Sequence, residues 1–135
     1  MGLAEKRATE EIKQKWNGGW QQRVQDAVGS PVEWDVRWET LVKDGTAGYA
    51  VDSFEKVFVQ SLEDSFKELC SDNIGKEAVA GALKKIVIQN VEGTSNGDYW
   101  AKFENGVLTV DHSFSNVDYV KDRVKGLVDT LSAKL

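Results

Sequence analysis

The chain has 135 residues, with 17 basic and 22 acidic side chains, a net charge of −5 and five tryptophans. That length suits one domain able to bury roughly two thirds of its unfolded surface, and 41% hydrophobic with 29% charged residues excludes a disordered chain. The acidic excess is concentrated over residues 32–72, with ten acidic against four basic side chains; no basic stripe is left for nucleic acid, and an anionic membrane would repel the chain.

Residues 3–28 place Ala8, Ile12, Trp16, Trp20, Val24 and Val28 at four-residue steps among Glu, Lys, Gln and Arg. The spacing predicts a helix with a slanted apolar stripe. Gly18-Gly19 falls inside it and marks either a break or a place where another backbone comes close. Gly29-Ser30-Pro31 ends the element. Residues 32–39 then alternate strictly, Val32, Trp34, Val36 and Trp38 against Glu33, Asp35, Arg37 and Glu39, as a half-buried strand does. Asp52 and Glu55 have the form of a capping box. Behind them Phe54, Val57, Phe58, Leu62, Phe66 and Leu69 keep helical spacing, and a shorter helix over 76–85 buries Val79, Ala82 and Leu83.

Residues 86–91, IVIQNV, are apolar on both faces near their start, as in an interior strand. After a polar loop over 92–98, the stretch 99–114 reads as a β-hairpin turning at Asn105-Gly106. A two-residue type I′ turn needs positive φ at both positions, which Asn and Gly tolerate best. The turn fixes the register: Phe103 opposite Leu108, Lys102 opposite Thr109, Ala101 opposite Val110, Trp100 opposite Asp111 and Tyr99 opposite His112. Alternation then puts Tyr99, Ala101, Phe103, Leu108, Val110 and His112 on a core face. Trp100, Lys102, Glu104, Val107, Thr109 and Asp111 fall on a wet one. Ser115 or Asn116 is expected to cap a last helix with a stripe of Tyr119 or Val120, Val124, Leu127, Val128 and Leu131.

The order α-β-α-α-β-β-β-α implies one α+β domain over 1–135. Its sheet is expected to have four strands, mainly antiparallel, with helices on one face and the last three strands as a meander. The first strand fits either beside the second through a parallel crossover or beside the last, and its charged row suits an edge.

Chemistry-bearing residues are sparse. His112 is the only histidine, and parity separates it from Asp111, so the two form no bonded dyad. Cys70 stands at a helix end among acidic residues, where a thiol stays protonated, and a single cysteine allows no internal disulfide. One His and one Cys exclude the usual zinc spacings, and neither a calcium loop nor a phosphate cradle is present. No cofactor is expected. The charged N-terminal stretch lacks the apolar run of a signal peptide, no run is long enough to span a membrane, and the expected location is cytoplasmic.

Three functional readings follow. The first is a non-catalytic domain, of adaptor, inhibitor or immunity type, that binds a basic protein or itself. Its face would be Trp100, Lys102, Glu104 and Asp111 with Glu33, Asp35 and Arg37. The second is a small-molecule or enzymatic cleft lined by Trp34, Trp38, Tyr99 and His112. The third is a subunit of a larger assembly, with residues 1–28 as an arm.

Overall fold

The computed structural model describes residues 2–135. The chain opens with helix α1 (Leu3–Lys15), a wide turn over Trp16–Trp20, and α2 (Gln21–Val28). Gly19 leaves helical geometry there, at φ 161° and ψ −31°. A Cβ on Gly18 or Gly19 would meet nothing within 4 Å. The glycine pair is therefore a kink and not a point of close backbone approach. Gly29, at φ 83°, closes α2 in the left-handed cap that favours glycine.

Strand β1 (Glu33–Val36) comes next, shorter than the alternating pattern because the chain coils into a 3-10 turn at Trp38–Thr40. Helix α3 (Ala50–Phe54) begins ahead of the Asp52–Glu55 box, so that box caps nothing. It runs through a second wide turn, Glu55–Gln60, into α4 (Ser61–Leu69). Helix α5 (Asn73–Ala82) is capped by Asp72, whose carboxylate accepts the Gly75 N–H at 2.8 Å. Strands β2 (Lys85–Gln89), β3 (Ala101–Glu104) and β4 (Val107–Asp111) complete the sheet, and α6 (Val120–Ser132) ends the fold. Helix α6 starts later than expected, with Tyr119 as its cap and neither Ser115 nor Asn116 in that role.

The hairpin follows the expected register from Ala101–Val110 to Glu104–Val107, and Asn105 and Gly106 sit at φ 51° and 80°. The sheet as a whole does not. Its order is β1-β2-β4-β3, with β1–β2 and β2–β4 parallel and only β3–β4 antiparallel. The mainly antiparallel meander is therefore corrected to a mixed, mostly parallel sheet. The segment 90–100 carries the chain past the position beside β2 and out to the far edge. β4, an apolar β-branched strand like β2, returns to the interior. β3, with Lys102 and Glu104 outward, takes the edge where charged strands belong.

One face of this sheet is dry. Ile86, Ile88, Ala101, Phe103, Leu108 and Val110 are buried against the helical layer. Trp16 packs on Trp34 and Trp38, and Phe54 stacks on Trp20 and Trp38, so four indoles and one phenyl ring knit the first helix to β1. Behind them α4 packs on α2 and α6. The other face carries no helix: Glu33, Lys102 and Glu104 are exposed, and Asp35, Lys85, Gln89, Val107 and Thr109 are half-buried.

Candidate interaction face

Strand parity places side chains from all four strands on the bare face, and polar contacts run across it. Lys85 lies 3.2 Å from Glu33 and 3.8 Å from Asp35. Arg37 bonds the Asp35 carboxylate at 3.4 Å and donates to Gln89 Oε1 at 3.0 Å. Gln89 in turn donates to Asp111 Oδ2 at 3.0 Å. The other Asp111 oxygen accepts the backbone N–H groups of Val91 and Glu92 at 3.0 and 3.2 Å. Asp111 is thus largely buried and committed to holding the loop that leaves β2. Val87, in register with Asp35 and Thr109, fills the centre of this face.

The hairpin side of the face forms a trough of about 350 Å³ between the 92–99 loop and the turn at Asn105. Val107 and Thr109 line it, with Lys102 along one side. Glu104 stands at the turn end, and Asp111, Glu92 and Tyr99 at the other. Lys102 reaches Glu92 at 3.8 Å, an exposed pair of little energetic weight. Among the described residues Glu104 has no ion pair. Tyr99 is 71% exposed.

Trp100 is the main departure from the expected face. Its indole is 1% exposed, touches Phe58 and His112, and donates to the Arg123 carbonyl at 2.8 Å. Alternation holds only while the backbone is extended, and Trp100 is in the right-handed helical region at φ −82° and ψ −18°. That one residue turns the indole under the sheet. Tyr99, in the 3-10 turn Gly97–Tyr99, goes outward in its place. The tyrosine expected in the core and the tryptophan expected in water have exchanged environments.

The proposed cleft residues do not gather. Trp34 and Trp38 belong to the aromatic cluster on β1, Tyr99 opens onto the bare face, and His112 is 0% exposed. The imidazole Nδ1–H donates to the Ser113 carbonyl at 2.6 Å, which makes Nε2 an acceptor, and that atom is buried without a partner. Burial first, and then the Arg123 charge, lower its pKa below 6.5; the Ser113 bond and Asp111 act the other way. A neutral ring with no open space around it is a structural group.

A larger groove of about 1060 Å³ lies across α2, α4 and α5, lined by Arg23, Ala27, Val28, Glu63, Cys70 and Ala80 among others. Sequence periodicity gave no sign of it. The available signal was the composition of α5, whose NIGKEAVAGA buries only Val79 and leaves Ile74 exposed. Within the groove Arg23 bonds Glu63 at 2.9 Å and Glu55 at 3.4 Å, and Lys67 lies 3.8 Å from Glu63. The Cys70 thiol lies 3.8 Å from the Val28 carbonyl, and burial pushes its pKa up while Lys76 pulls it down. It is not a poised nucleophile.

Among the described residues no three His, Cys, Asp or Glu side chains are grouped to hold a metal ion. No helix of the described residues is long and apolar enough to cross a membrane. No family model, curated protein or solved structure matches the chain.

Proposed function

We propose that this is a non-catalytic protein-interaction domain whose partner docks on the bare face of the sheet. The observation that carries the reading is the asymmetry of that sheet: one face is covered by helices, and the other offers Tyr99, a Glu104 without an ion pair among the described residues, and a trough along the hairpin. Aromatic side chains are enriched at binding centres, with charged groups forming the rim around them. The acidic excess at the trough, exposed Glu92 and Glu104 against Lys102, favours a basic partner through steering. The helical groove is the weaker candidate, since no aromatic side chain lines it.

The test is capture of partner from the native source by immobilised chain carrying Thr109→Arg or Ala80→Arg. The first blocks the sheet face and the second the helical groove, and both positions are accessible enough to leave the fold intact. The expected result is that Thr109→Arg abolishes capture of a protein that wild type and Ala80→Arg both retain. Loss with Ala80→Arg and retention with Thr109→Arg would move the function to the groove.

A further inference from the structure

The charges of the trough are ordered, and the order specifies what segment fits it. β3 presents Glu104 and Lys102 to the bare face. The Asp111 N–H donates to the Trp100 carbonyl at 2.8 Å, which sets Asp111 and its neighbour Glu92 at the far end. Val107, the register partner of Glu104, and Asp111 are four residues apart along β4, about 13 Å at the usual rise. Along that length the exposed charges run negative at Glu104, positive at Lys102 and negative at Glu92, which meets Lys102 only in a weak exposed pair at 3.8 Å, while Asp111 is buried and already hydrogen-bonded. The outer edge of β3 is not available for strand addition, because Lys134 donates its ammonium to the Phe103 carbonyl at 2.7 Å. A partner segment therefore lies on the face, between the 92–99 loop and the turn.

We infer that the trough receives an extended segment of a protein partner with the pattern cation–x–acid–x–cation. The side chains on one side of an extended chain recur about every 6.8 Å, so residues i, i+2 and i+4 span the same length of about 13 Å. The two cations meet Glu104 and Glu92, and the central carboxylate meets Lys102, together replacing the weak exposed Lys102–Glu92 pair. Arginine suits the far end best, where its plane stacks on exposed Tyr99. The intervening residues point away from the sheet, so the code leaves their identity free.

This charge code rests on the interaction reading of the same face, and two arms keep them separable. The probes are the capped peptides Arg-Ala-Glu-Ala-Arg and Arg-Ala-Arg-Ala-Glu, identical in composition and net charge, titrated at low salt into ¹⁵N-labelled chain. The alternating peptide is expected to bind roughly five-fold tighter than the reordered one, with shifts centred on Tyr99, Lys102, Glu104, Thr109 and Asp111. Lys102→Glu, at an exposed position, is expected to reverse selection in favour of Arg-Ala-Arg-Ala-Arg. Equal binding of the two isomers, or no change of preference in Lys102→Glu, would overturn the code. If that happens while Thr109→Arg still abolishes capture, the face remains the docking surface and only the code falls. Capture that survives Thr109→Arg removes the face itself.

Discussion

The Arg123 guanidinium holds three stretches of chain at once. It donates to Ser61 Oγ at 2.8 Å, to the carbonyls of Asn116 and Val117 at 2.8 and 2.6 Å, and at 3.5 Å to the Lys56 carbonyl in the wide turn between α3 and α4, which also accepts the Ser61 hydroxyl. Burial lowers its pKa to about 10, so it stays charged at neutral pH. Arg123→Met leaves the Val117 carbonyl without its donor and strips one donor each from Ser61 Oγ and the Asn116 and Lys56 carbonyls, and is expected to cost about 3 kcal/mol, read from the shift in urea unfolding. A loss under about 1 kcal/mol would mean that water satisfies those groups instead. His112 supplies the pH dependence. Its folded pKa lies below the unfolded value near 6.5, so the unfolded state binds the proton first. Stability is complete above about pH 6.5 and falls as the pH drops toward the folded value. His112→Gln is expected to flatten the loss between about pH 7 and 5. Asp118, held low by Lys56, titrates beneath that window. A wild-type slope unchanged in His112→Gln would assign the acid sensitivity to other groups.

At the scale of elements, the close seat of α6 on the 3-10 turn at Gly97–Tyr99 gives a test whose sign is informative. Helix propensity alone makes Gly126→Ala stabilising by about 1 kcal/mol. A Cβ on Gly126 would collide with the Gly97 carbonyl, so the substitution is expected to destabilise by about 1–3 kcal/mol instead. Thermal melting decides between the two signs. The same junction separates what the sequence made legible from what it hid. Asn105-Gly106 specified the turn, and with it four cross-strand pairs, because that chemistry is local. Trp100 defeated parity because its helical backbone is set by the packing of the 97–100 turn on α6, a tertiary fact. The wide turn over Glu55–Gln60 was hidden for a related reason. It buries Val57, Phe58 and Val59 consecutively, which no regular helical stripe does. No sequence pattern announces Arg123, a buried cation whose partners are mostly backbone carbonyls.

On the scale of the whole molecule, composition and alternation marked the strands but left their order undetermined, since both a meander and a crossover are compatible with the same alternating segments. The order β1-β2-β4-β3 joins the charged rows of β1 and the hairpin through Gln89, so Glu33, Asp35, Arg37, Lys102, Glu104 and Asp111 do share one face even though Trp100 leaves it. The charges on that face belong to a surface with no helix of its own to cover it, and the central claim is that another protein does so. The most direct measurement is photo-crosslinking in the native extract, with benzoylphenylalanine at Tyr99 on the sheet face or at Ala80 on the helical groove. The account predicts one discrete adduct from position 99, suppressed by Thr109→Arg, and none from position 80. An adduct from position 80 with none from 99 would contradict it.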